Sequence, residues 1–316
     1  MKIMSSLRAA SSLAGAKAFG KRLPLAVSWG VTGRCNLRCA YCGIWAKEFN
    51  ELTPAEALRA AGEICAAGTA RVSLTGGEPL LRQDIGQIIG RLKNAGTSVS
   101  MNSNGLLLRQ RFNDIAELDH LSLSLDGPRD IHDALRGKDT HAKVMDAAME
   151  ASGRGLETSF LTVITKRNIC SLGEMLEDAQ SMGIKVLFQP VDTYAHSSET
   201  AARLKPAKKE LARFFRDAPR KSIMNSTACI REFVAPTLNL SNCAAGKIMC
   251  RIAPDGLMFP CGRASNEGTH DVRNGFLRGF LSLKKPTCSG CCCAGHVEMS
   301  MLFRLNPHSV KRAASL

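Results

Sequence analysis

The chain has 316 residues, 45% apolar and 5% aromatic, enough apolar material for one large domain or a medium domain joined to a small one. Its formal net charge of +14 fits a solvated basic surface or attraction to an anionic partner, but the scarcity of aromatic residues argues against nucleic acid, which is bound on base-stacking platforms. Thirteen cysteines are an odd number, and no secretory signal is apparent. Metal ligation in a reducing cytoplasm therefore fits better than a disulfide framework.

The first 22 residues carry no acid. Ile3, Leu7, Ala10 and Ala14 share one helical face, and Lys2, Arg8, Lys17, Lys21 and Arg22 supply charge. Residues 1–24 read as a basic amphipathic segment. It lies peripherally on an anionic membrane, packs on the protein or serves as a transit peptide. From residue 25 strands and helices alternate. Strands are expected at Ala26–Thr32, Arg71–Thr75, Ser98–Ser103, His120–Leu125, Glu157–Ile164 and Lys185–Pro190. A helix opens at Thr53-Pro54, with Thr as N-cap and Pro in the first turn, and ends near Ala67 before Gly68. Further helices fall at 83–94, 109–117, 141–153, 171–182 and 206–217. Six such units imply a parallel sheet with right-handed crossovers and an active site at the C-terminal strand ends. From 226 to 298 Gly, Cys and short turns dominate, as in a small cysteine-rich domain. Residues 299–316 form a tail, first apolar and then basic.

Cys35-x3-Cys39-x2-Cys42 directly follows the first strand. Three thiolates on a short loop cap three irons of a [4Fe–4S] cluster and leave the fourth open. A structural zinc site or an electron-transfer cluster takes four ligands. The motifs that follow come in a telling order. Gly76-Gly77-Glu78-Pro79 ends the second strand, Asn102-Ser103-Asn104-Gly105 the third, and Ser122-Leu123-Ser124-Leu125-Asp126-Gly127 the fourth. Together these motifs resemble the radical S-adenosylmethionine (SAM) superfamily.

The resemblance implies an α/β fold, a partial (β/α)6 TIM-like barrel over residues 25–225. It implies SAM contacts at Tyr41, Gly76, Gly77, Glu78, Ser103, Asn104, Ser124, Asp126 and Arg136. The glycines would let backbone approach the ligand, and the Arg136 guanidinium would pair with the SAM carboxylate. Asn168 and Gln189, at later strand ends, border the ligands or simply cap. The implied chemistry is reductive cleavage of SAM and hydrogen abstraction from a peptide or small molecule. A flavodoxin- or ferredoxin-type donor would supply the electron.

Near the C-terminus Cys243, Cys250, Cys261, Cys288, Cys291, Cys292 and Cys293 fall within 51 residues. Cys243-x12-Gly256-x4-Cys261 encloses a hairpin turn at Pro254-Asp255-Gly256, and Cys288-x2-Cys291 has the spacing of a metal knuckle. This is similar to the SPASM/twitch extensions of radical SAM enzymes, and to the shorter twitch type in particular. The implied ligands of a second [4Fe–4S] cluster are Cys243, Cys261, Cys288 and Cys291. Cys250 is an alternative to Cys243, Cys292 or Cys293 to Cys291, and a zinc knuckle to the cluster itself. Cys65 and Cys170 read as buried apolar residues, Cys229 as either core or substrate-facing, and His296 as structural. Two other functions remain open. One is modification of a lipid at a membrane surface, motivated by the basic N-terminus and the Leu302–Arg312 tail. The other is a non-catalytic iron–sulfur or zinc scaffold.

Overall fold

The computed structural model describes residues 21–192, 199–236, 243–264, 270–286, 288, 291 and 293–304. The expectations for residues 1–20, residues 305–316 and Cys292 lie outside these. The first six strands are β1 (Ala26–Thr32), β2 (Arg71–Gly76), β3 (Ser98–Ser103), β4 (His120–Ser124), β5 (Thr158–Ile164) and β6 (Lys185–Pro190). Each pairs in parallel with its predecessor in chain order. The helices between them are α1 (Pro54–Ala66), α2 (Ile85–Asn94), α3 (Leu108–Ile115), α4 (Arg129–Arg136), α5 (Thr140–Gly153) and α6 (Leu172–Ser181). This is the parallel sheet that the alternation implied and the partial (β/α)6 barrel that the resemblance implied.

Each strand alternates, because successive side chains point to opposite faces. Val27, Trp29, Val31, Val72, Leu74, Val99 and Met101 join the helix residues Ala57, Ile64, Ile85 and Ile88 in one apolar core. Trp29, Phe160 and Phe188 are fully buried, each contributing about 1.5–3 kcal/mol relative to exposure. The opposite face is polar. Ser28, Ser73 and Ser100 stand side by side across β1, β2 and β3. Fully buried parallel strands ordinarily read as continuous apolar runs, so a polar inner face marks the side where ligands are handled.

Local sequence explains several boundaries. Thr53 accepts from the Glu56 amide while the Glu56 carboxylate accepts from the Thr53 amide, a capping box that starts α1. Pro128 precedes α4, a helix that sequence periodicity does not reveal because its eight residues carry few apolar positions.

The sheet continues past residue 225. After α7 (Lys208–Asp217) and α8 (Thr227–Val234) the chain returns to β7 (Met249–Ile252), which lies parallel to the free edge of β1. The hairpin turn then leads into β8 (Leu257–Phe259), which runs antiparallel, and β9 (His270–Asp271) follows. Gly256 makes the turn possible at φ +85°. The result is a nine-stranded sheet in the order β6-β5-β4-β3-β2-β1-β7-β8-β9. Finally α9 (Phe276–Ser282) packs on α1, and α10 (Ala294–Phe303) packs on α8 and β6.

Both ends of the described chain are tied down. Arg22 donates to the carbonyls of Gly246, Phe280, Leu281 and Leu283. Leu302 and Phe303 pack with Leu25, Ala244 and Ile248. Among the described residues no helix is long and apolar enough to cross a membrane.

Candidate active site at the strand ends

The cysteine loop leaves β1 and is fastened along the end of β2. Gly77 N donates to Thr32 O and Glu78 N to Arg34 O, both at 2.8 Å. The approach demands glycine. A Cβ on Gly77 would stand 2.0 Å from Arg34 O, and one on Gly76 2.2 Å from Thr32 O. Three further bonds shape the loop: Cys42 N to Cys39 O at 3.0 Å, Ala40 N to Leu135 O at 2.8 Å, and Trp45 Nε1 to Cys42 O at 2.9 Å.

Cys35, Cys39 and Cys42 are all part-exposed. Burial raises the Cys39 thiol to about 11, against the pull of Arg136, and the Cys35 and Cys42 thiols push it the same way. Burial also raises the Cys35 thiol. These thiols are therefore protonated near neutrality, and iron binding must displace their protons. Among the described residues no three His, Cys, Asp or Glu side chains converge on a single metal ion. Three soft thiol donors on one short loop suit an iron–sulfur cluster, whereas a structural zinc site takes four ligands.

Glu78 is buried and accepts from Leu80 N at 3.1 Å, Ser103 Oγ at 2.9 Å and Asn104 N at 2.7 Å. It thereby joins the ends of β2 and β3 beside the loop. Burial raises its carboxyl against the pull of these bonds. Asn104 reaches the loop itself, donating to Asn36 Oδ1 at 2.7 Å.

Asp126 is the second hub. It is fully buried and accepts from Arg136 Nε at 2.6 Å, Tyr41 Oη at 2.5 Å and Val163 N at 2.8 Å. The Arg136 guanidinium also lies over the Tyr41 ring. Three residues expected at SAM thus form one cluster that joins the cysteine loop to β4, α4 and β5. Ser124 closes β4 two residues before this hub. His132 Nδ1 accepts the Asp126 amide at 3.1 Å, and Asn168 Nδ2 donates to Asp126 O at 2.7 Å. Nothing local to His132 in the chain marks this role. Asn168, expected at a strand end, makes the bonds of a cap.

The C-terminal thiols divide. Burial raises Cys261 to about 11, and Cys288 and Cys243 both add to the rise, so each of them lies within electrostatic reach of Cys261; Cys243 also packs against the small cluster that holds Cys261. Cys291 packs against the main core. Cys293 opens α10, where burial raises its thiol but the charge and hydrogen bonds of His296, with the charge of Arg251 adding, outweigh this and bring it to about 7. His296 is therefore the partner of a thiol, which its solitary place in the sequence did not reveal.

Other cysteine expectations are corrected. Cys250 is buried on the helix side of β7, opposite Val27, and does not substitute for Cys243. Cys229 is fully buried in the core, with Asn225 Nδ2 at 3.5 Å, and faces no substrate. Cys170 is exposed, because it falls in the short turn Ile169–Ser171 rather than on the buried face of α6. Cys65 is half-buried beside the Thr97 hydroxyl.

A six-unit barrel with three thiols after its first strand, a Gly-Gly cradle after its second and acid hubs at later strand ends defines an enzyme that holds an iron–sulfur cluster at the mouth of its sheet. The model of the Radical SAM superfamily matches residues 29–179. A probable GTP 3′,8-cyclase of Sulfurisphaera tokodaii is 31% identical over 81% of this chain and 86% of that protein. The PqqA peptide cyclase of Ruegeria pomeroyi is 28% identical over 75% of this chain and 67% of that protein, so the chain spans about two thirds of the cyclase. In fold it resembles Streptococcus suis SuiB bound to S-adenosylmethionine, with a TM-score of 0.69, 17% identity and coverage of 84% of this chain and 67% of that one. The chain belongs to the radical SAM superfamily. It is an enzyme of that class, and its cofactors are a [4Fe–4S] cluster and SAM.

Proposed function

We propose that Cys35, Cys39 and Cys42 hold the SAM-binding cluster and that the enzyme modifies a peptide or small molecule. Bound together and given one electron by an external reductant, cluster and SAM would supply the chemistry of reductive SAM cleavage and hydrogen abstraction from the substrate. The rest is the work of the chain's own residues. Gly76 and Gly77 bring backbone close to the ligand, Glu78 and Asp126 fix the strand ends around it, and Arg136 and Tyr41 are held in place by Asp126. Ser103, Asn104 and Ser124 complete the rim. The observation that carries this reading is the cysteine loop zipped onto the Gly76-Gly77 cradle.

Supporting a peptide substrate are the relative named as a PqqA peptide cyclase and the structural likeness to SuiB, also described bound to precursor peptide SuiA. The GTP cyclase relatives support a small molecule instead. A second cluster on Cys243, Cys261, Cys288 and Cys291 is part of the proposal, with the core over residues 25–225 and the auxiliary region over 226–298. Supporting it, Cys243 and Cys288 both lie within electrostatic reach of Cys261. A membrane role draws less support, since Arg22, Leu302 and Phe303 are engaged within the protein.

The test is anaerobic reconstitution followed by iron analysis and 5′-deoxyadenosine release with dithionite. Wild type should carry about eight irons per chain, and Cys261→Ser about four. Cys39→Ala should release no 5′-deoxyadenosine. Full release from Cys39→Ala would overturn the reading of the first cluster, and unchanged iron in Cys261→Ser that of the second.

A further inference from the structure

The first cluster needs an electron from outside, and a basic surface meets its loop at Ala40. A cleft of about 510 Å³ is lined by Ala40, Lys166, Arg167, Thr200, Arg203 and Leu204. Among these, Ala40 is bonded to Cys39 and placed between the second and third cysteines. Lys166, Arg167 and Arg203 are exposed, and among the described residues none forms an ion pair. The nearby acid Asp192 is buried between Lys205 and Arg263. Residues 199–210 hold four basic residues and two acids; Glu210 caps its own helix, and Glu199 is exposed.

The small donors here are already used. Lys166 N donates to Leu204 O, Arg167 N to Thr165 Oγ1 and Thr200 Oγ1 to Ala40 O. What remains is long cationic side chains on an open surface, which suits a broad acidic face better than a small anion held by backbone. A second feature meets the same loop from outside. Trp45 is 40% exposed, bonds the Cys42 carbonyl and stacks beneath Arg38. Exposed Trp and Arg are the residue types that anchor protein interfaces.

We infer that this surface is the docking site of an acidic one-electron carrier protein, seated on Lys166, Arg167 and Arg203 beside the cluster loop. The inference rests on the proposed function. The carrier loses one electron and the cluster gains it, with no bond made or broken. Such encounters are small, weak and steered by charge.

The test compares SAM cleavage driven by reduced flavodoxin, an acidic carrier, with cleavage driven by dithionite, which needs no docking. In the triple variant Lys166→Glu, Arg167→Glu, Arg203→Glu the flavodoxin-driven rate should fall at least about tenfold while the dithionite-driven rate holds. Arg203→Glu alone should show a smaller loss of the same kind, which guards against misfolding of the triple variant. Binding of oxidised flavodoxin, followed by titration at low and high salt, should weaken in step. Equal loss with both reductants, or flavodoxin binding that ignores the substitutions, overturns the inference. Absence of dithionite-driven cleavage in wild type would instead sink the proposed function, and the binding titration would still decide the docking site.

Discussion

Gly77→Ala should be far more damaging than its single methyl suggests. The new Cβ would lie 2.0 Å from Arg34 O, 2.6 Å from Arg34 C and 2.7 Å from Gly33 O. All three are backbone atoms and cannot swing aside. Even a tight contact of 3.0 Å requires loop and strand to part by about 1 Å. Parting them weakens Gly77 N to Thr32 O and Glu78 N to Arg34 O, each worth about 1 kcal/mol, and adds about 1–3 kcal/mol of overpacking. The sum is about 3–5 kcal/mol, placed one residue from Cys35. A displacement of about 1 Å at a reacting site costs about 100-fold in rate. The assay is dithionite-driven 5′-deoxyadenosine release beside urea unfolding. Gly68→Ala is the control, because Gly68 has φ +78° with no atom near its Cβ position. It should lose about 1–2 kcal/mol from backbone conformation alone and keep its rate. A Gly77→Ala enzyme within about threefold of wild type would refute the steric reasoning.

Two further outcomes follow from the Asp126 hub. Asp126→Ala leaves Arg136 buried without its counter-charge and should lower unfolding stability by about 3–5 kcal/mol in urea; a loss below about 1 kcal/mol would show that the pair is solvated. His132 gives the pH dependence. Burial, with Arg136 adding, lowers it from 6.5 to about 4. Between those values the unfolded chain binds more protons than the folded one. Its stability contribution is therefore complete above pH 6.5 and falls, by about 3 kcal/mol in all, as the pH drops towards 4. His132→Gln should flatten that part of a urea-stability profile, and an unchanged slope would assign the acid sensitivity elsewhere.

Much of this protein is written locally. The six parallel strands, the Thr53 cap, the Pro254–Gly256 hairpin and the cysteine loop all follow from periodicity, caps and turn chemistry, which act over a few residues. The two glycines were legible as well, since close backbone approach leaves no other choice of residue. What the chain could not state locally is which distant groups meet. Only the tertiary structure places Asp126 against Tyr41 and Arg136, sets His132 behind it and turns Cys250 and Cys229 into the core. It also returns β7 to the free edge of β1, so that the cysteine-rich segment extends the sheet. Those outcomes depend on burial and on charges meeting across dozens of residues. A run of sequence sets the face a side chain takes, while the packed sheet decides what that face finds.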